Sequence, residues 1–219
     1  AQQSKYPQYH HSVEGLCLAS GMPKPELYIM EDHNINAFAS GRDPEHAVIC
    51  VTTGALEKLD KQELEGVIGH ELSHIANYDI RFMTLVAVLV GMIALISQIF
   101  LRSLWFSGGR GSNKKGGPWL LIIGIVLAIL APIFVYFVQL AISRKREFTA
   151  DASAVKFIRT PTGLIKALKK IQKEEPDPEV KKKVNKALAP LFISNPFTKM
   201  GLSSTHPPLD KRISVLEKM

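Results

Sequence analysis

Two long uncharged runs, residues 82–101 and 119–142, constrain this chain more than any other feature of its sequence. A helix of about 20 residues spans about 30 Å, the thickness of a bilayer's hydrocarbon core, and a helix that is apolar all round leaves no face for water. The expectation is therefore a transmembrane helical hairpin over 82–142, closed by the Gly/Ser/Lys-rich connection 103–118. Trp105 and Trp119 flank that connection as interfacial aromatics, and Pro132 kinks the second span. The hairpin interrupts a domain made of residues 1–81 and 143–219, whose ends it returns to the same side.

Lys and Arg gather where the runs end, at Arg102, Arg110, Lys114 and Lys115 and again at Arg144, Lys145 and Arg146, within a net charge of +7. This placement suits anionic lipid headgroups, and the lipid bilayer is the expected partner. No motif for nucleic acid is present, which excludes that class of partner. Cys17 and Cys50 lack metal-binding spacing and read as buried thiols of a reduced compartment. The chain begins Ala1-Gln2-Gln3-Ser4, with neither methionine nor apolar leader, as a fragment would.

The chemistry is carried by His70-Glu71-Leu72-Ser73-His74. Two histidines four residues apart on a helix project from one face and can reach the same metal ion. Glu71 stands beside the pair, where its carboxylate can take a proton from an attacking water as general base. Asp60 followed three residues later by Glu63 is a start signal for this helix. A catalytic site with one open position requires a third protein ligand, and two imidazoles with a carboxylate are the usual set for zinc. Glu147 is the leading candidate, because it lies as close to the end of the second run as His74 lies to the start of the first. Asp151, one turn further on, can accept the other N–H of a ligand histidine and fix its tautomer.

Ahead of the histidine pair, 5–20 has helical spacing with Gly21 as a stop, and 27–30, 36–39 and 47–52 read as short strands. His10 and His11 are adjacent and diverge by about 100° on a helix, so they read as surface or packing residues. The middle strand, Asn36-Ala37-Phe38-Ala39, is either an ordinary strand with Phe38 in the core or an edge that aligns an extended peptide by backbone hydrogen bonds. Thr160-Pro161 and Asp177-Pro178 open two lysine-rich helices that read as surface. In Thr205-His206-Pro207-Pro208, His206 either caps the last helix or donates to the oxyanion of a hydrated peptide. Arg212 reads as a structural ion-pair partner.

With these motifs in hand, the whole chain resembles the HtpX-type membrane zinc metalloproteases, relatives of the integral-membrane prenyl-protein endopeptidases. The resemblance rests on Asn36-Ala37-Phe38-Ala39, on His70 through Asn77 with Asp79, on Ser143-Arg144 through Phe148 with Asp151, and on Thr205 through Ile213. It implies an α+β fold: a mainly helical, zincin-like domain with a small sheet, interrupted by the hairpin. It further implies a multi-pass protein of the cell membrane with its active site facing the cytoplasm, with His70, His74 and Glu147 as zinc ligands and Glu71 as base. Its substrates would be damaged or unfolded polypeptides, membrane proteins above all, cut as quality control under stress alongside other membrane proteases. Members of the family usually begin with a further pair of apolar spans, absent from this sequence. The competing expectation is a catalytically silent, membrane-anchored zinc-binding scaffold or adaptor.

Overall fold

The computed structural model describes residues 1–82, 92–93, 95–99, 102, 118–174, 193 and 206–219. The chain divides into two compact units, Ala1–Phe82 with Ser143–Met219 in one and Met83–Ile142 in the other.

The first unit opens with α1, Pro7–Ser20, which has proline in its first turn and ends on Gly21 in the left-handed conformation, φ +71°. Tyr9, Val13, Leu16 and Cys17 form its buried side, and the Tyr9 hydroxyl donates to the Ile49 carbonyl at 3.0 Å. His10 is buried and His11 exposed. Three strands follow: β1, Glu26–Met30, β2, Ala37–Gly41, and β3, Ala47–Thr52. They form one sheet in the order β1-β3-β2. β1 runs parallel to β3, with Glu26 opposite Val48, and β2 runs antiparallel to it, with Ala37 opposite Val51. β3 lies in the middle and is buried over nearly its whole length, as its run Ala47-Val48-Ile49-Cys50-Val51 requires. β2 is an edge strand. Cys17 and Cys50 are free and buried.

After the short helix α2, Thr53–Lys58, the central helix α3 spans Lys61–Ala76. Its start is the capping box foreseen in the sequence: Glu63 N–H donates to Asp60 Oδ1 at 2.9 Å and Asp60 N–H to Glu63 Oε2 at 2.8 Å. Leu64, Val67, Ile68, Leu72 and Ile75 are buried along it, each contributing about 1.5–3 kcal/mol of apolar transfer. α3 packs against α1, β2 and, most extensively, α5, Thr162–Lys173. α5 buries Leu164, Ala167, Leu168 and Ile171 at helical spacing and turns its lysines outward. Backbone meets backbone where the two helices touch: a Cβ on Gly66 would come within 2.5 Å of Leu164 N, and one on Gly163 within 2.1 Å of Gln62 O.

Between α3 and α5 in sequence lies α4, Pro118–Ile158, and the last helix, α6, spans Leu209–Leu216. Among the described residues no helix is long and apolar enough to cross a membrane. That finding corrects the transmembrane hairpin expected over 82–142 and, with it, the fold class as first read: a mostly helical fold with a small mixed sheet stands, the membrane-spanning insertion does not. Absence of charge over 119–142 measures the length of an apolar run and not of a structural element. The helix that contains this run does not stop with it, but continues without a break through Arg144, Lys145, Arg146, Glu147 and Asp151. Most of 82–101, the connection 103–117 with Trp105, and the segment opened by Asp177-Pro178 lie outside the described residues.

Candidate active site

His70 and His74 stand on successive turns of α3, with ring centroids 4.7 Å apart and planes at 83°. Their Nε2 atoms face each other at 3.2 Å. Glu147, on the polar half of α4, faces both rings: its Oε2 lies 3.5 Å from His70 Nε2 and its Oε1 3.4 Å from His74 Nε2. His70 and Glu147 are almost fully buried. Among the described residues these three form the one group of His, Cys, Asp or Glu side chains whose donor atoms converge as metal ligands do.

The donor set suits a tetrahedral ion. Two ligand atoms each about 2.0–2.1 Å from a common centre and subtending a tetrahedral angle lie about 3.3 Å apart; the two Nε2 atoms stand at 3.2 Å, and each faces a different oxygen of the Glu147 carboxylate, His70 at 3.5 Å and His74 at 3.4 Å. Two imidazoles and one carboxylate are also a donor chemistry that zinc accepts.

Each histidine is held from behind by a carboxylate. Asp151 Oδ1 lies 3.0 Å from His70 Nδ1, and Asp79 Oδ2 lies 2.7 Å from His74 Nδ1. Each carboxylate is held in turn by an arginine. Arg212 donates from Nε and Nη2 to the two oxygens of Asp151 at 2.9 and 2.6 Å, and Arg146 donates from Nε to Asp79 Oδ1 at 2.9 Å. Arg212 also reaches Glu147 Oε2 with Nη1, at 3.3 Å, and is wholly buried. His206 approaches the same Glu147 oxygen with Nδ1 at 3.0 Å. It does not cap α6, whose first residue follows Pro208 without a side-chain cap.

These contacts set the charges of the metal-free site. Burial works against ionisation of Glu147, but His206, His70 and His74 around it hold its carboxyl well below the usual range. Burial likewise disfavours a charged His74, yet Asp79 and Glu147 outweigh it and lift the ring to about 10. Asp151 is buried too, and Arg212 beside it brings the carboxyl down to about 2. Glu71 goes the other way: burial raises its pKa, with His70 and His74 only partly opposing, and the Ala39 backbone N–H donates to its carboxylate. The base candidate thus touches the edge strand. Along that strand Ala37 and Ala39 are buried and Phe38 is half-buried. Asn36 is buried, its side-chain oxygen accepting the Ala37 N–H at 3.1 Å and its backbone N–H donating to Thr52 Oγ1 at 2.9 Å.

Asp79 and Arg146 are the residues that reading the sequence did not assign to the site. Asp79 follows the end of α3, where Tyr78 adopts φ +55°, and no local rule foresees that turn. Arg146 read there as one more headgroup cation.

The sequence pattern of peptidase family M48 matches residues 3–219. The chain belongs to peptidase family M48. It is 46% identical over its whole length to a protease HtpX homolog of Caldanaerobacter subterraneus, 74% of which it covers. It is 42% identical to a protease HtpX homolog of Lactobacillus helveticus, covering 75% of that protein. The crystal structure of S. mikatae Ste24p shares the fold, with a TM-score of 0.61 at 22% identity, over 94% of this chain and 49% of that one. With the ligand cluster, this membership makes the chain a zinc metalloendopeptidase of the HtpX type acting on protein substrates. The family placement foreseen in the sequence holds for the peptidase. Its membrane-bound attributes, namely anchoring and a multi-pass topology in the cell membrane with the active site facing the cytoplasm, are corrected, since no described helix is long and apolar enough to cross one.

Proposed function

We propose that this M48 peptidase holds zinc on His70, His74 and Glu147 and hydrolyses peptide bonds within unfolded polypeptide segments, with Glu71 as general base. The observation that carries the reading is the convergence of His70 Nε2 and His74 Nε2, 3.2 Å apart, on the Glu147 carboxylate, one oxygen 3.5 Å from the first and the other 3.4 Å from the second, beside a buried Glu71. Zinc on these ligands would supply Lewis acidity to the scissile carbonyl and favour a nucleophilic water at neutral pH.

The remaining work falls to side chains. Asp151 and Asp79 keep His70 and His74 in the tautomer that turns Nε2 toward the metal. Glu71 takes the proton of the attacking water and passes it to the leaving amine; its burial brings the carboxyl nearer the pH at which a base works best. His206, beside Glu147 at the same centre, donates to the oxyanion of the tetrahedral intermediate. The outer edge of β2 aligns the substrate backbone: Asn36 and Ala37 fix the start of the strand through their own hydrogen bonds, Phe38 packs a flank, and Ala39 brings the chain alongside Glu71. The Ala37 carbonyl already accepts the Ile193 N–H at 3.3 Å, so an incoming peptide pairs beyond it, from Ala39 onward. A backbone-directed mode of this kind needs an extended chain, which unfolded segments provide.

The test is cleavage of a reduced, unfolded polypeptide by zinc-loaded protein beside Glu71→Gln. The account expects the variant to keep zinc and lose cleavage by about 10²–10⁴-fold. Equal cleavage by both proteins contradicts it.

A further inference from the structure

We infer that Arg146 is a positioning residue for the metal centre, which acts on His74 through Asp79. This rests on the zinc reading above and extends it to a residue that touches neither metal nor substrate.

The end of α3 sets where Asp79 lies. Had the helix continued, Asp79 would lie five residues and about 7.5 Å of rise beyond His74, turned away from its ring. Instead α3 stops at Ala76, and Tyr78 enters the left-handed region at φ +55°, a conformation that side chains other than glycine seldom adopt. The turn brings Asp79 back to His74 Nδ1 at 2.7 Å. A strained turn of this kind persists only where its surroundings hold it, and Arg146 is what holds it. Arg146 Nε donates to Asp79 Oδ1 at 2.9 Å, Nη2 contacts the same oxygen, and the guanidinium lies 4.6 Å from the Phe82 ring centroid.

Arg146 and Glu147 are adjacent on α4, so their side chains diverge by about 100°. One of them meets His74 on Nε2 and the other, through Asp79, on Nδ1. A single turn of α4 therefore grips both nitrogens of one ligand ring. His70 has the parallel arrangement, with Asp151 and Arg212 behind it. An ion pair that served packing alone would have no reason to end on a ligand nitrogen in each case.

The experiment measures zinc dissociation constants by chelator competition for the whole chain and for Arg146→Gln, Arg146→Lys, Asp79→Asn and the double variant Arg146→Gln/Asp79→Asn. Nitrogen NMR of the histidine rings reads the His74 tautomer in parallel. Arg146→Gln and Asp79→Asn should each weaken zinc binding by about 10–100-fold, and the double variant by no more than the worse single one. Arg146→Lys should fall between wild type and Arg146→Gln, since a lysine keeps the charge without the directed Nε donor. Where Arg146→Gln does not fold, Arg146→Lys and Asp79→Asn decide the matter. Zinc affinity within twofold of wild type in the arginine variants, or losses that multiply in the double variant, would overturn the inference alone. A wild-type chain without zinc affinity would overturn the zinc reading, and this inference with it.

Discussion

His70 Nε2 and His74 Nε2 stand 3.2 Å apart with no carboxylate between them. Two ring nitrogens at this distance are compatible when one carries a proton or when both point at a cation. Burial works against charge on both rings, yet the carboxylates around them raise His70 above its ordinary value and lift His74 to about 10, so in the metal-free protein the pair holds protons at neutral pH. Zinc binding at pH 7–9 should therefore release protons, and affinity should rise by about tenfold per pH unit for each proton displaced. Calorimetric titration in buffers of differing ionisation enthalpy reads the number directly; a titration without proton release would contradict this assignment. The linked stability has the opposite sense. For His74 the folded value exceeds the unfolded one near 6.5, so the contribution is fully present below pH 6.5 in metal-free protein and disappears as pH rises through about 10.

Asp151 and Arg212 form a buried ion pair bonded through both carboxylate oxygens. Removing one partner leaves the other charge buried, so Arg212→Gln should destabilise the protein by about 3–5 kcal/mol in denaturant unfolding. Asp151, depressed to about 2 from an ordinary 3.8, contributes about 2 kcal/mol. That contribution is present above pH 3.8 and is lost as pH falls through about 2, and Asp151→Asn should flatten this acid limb.

Two glycines should respond oppositely to alanine. Gly163→Ala sets a Cβ 2.1 Å from the Gln62 carbonyl oxygen and should cost about 1–3 kcal/mol or more by forcing α5 away from α3. At Gly15, within α1, a Cβ meets nothing within 4 Å, and Gly15→Ala should stabilise by about 0.4–1 kcal/mol. Thermal unfolding of the two variants beside wild type is sufficient to check both signs.

What could be read in the sequence was what local rules govern. The capping box of α3 depends on Asp60 and Glu63 alone, the three strands on short apolar runs set between turn-forming residues, and the histidine pair on helical spacing. Asp79 escaped because its role depends on a left-handed Tyr78, a conformation its residue type does not announce. Arg146 escaped because its partner is 67 positions away. Arg212 was foreseen as an ion-pair partner, but its burial against both Asp151 and Glu147 comes from the packing of α6 and not from its neighbours in sequence. The uncharged runs misled for a related reason: α4 crosses the boundary that composition drew at Ile142 and carries Glu147 toward the histidines as one helix.

The most direct test of the account is cleavage of an unfolded polypeptide by zinc-loaded wild type and Glu71→Gln, with zinc content assayed in both. The account predicts equal zinc in the two proteins, cleavage by wild type that a chelator abolishes and added zinc restores, and a loss of about 10²–10⁴-fold in the variant. A variant that retains zinc and cuts as fast as wild type would contradict the assignment of Glu71 as base.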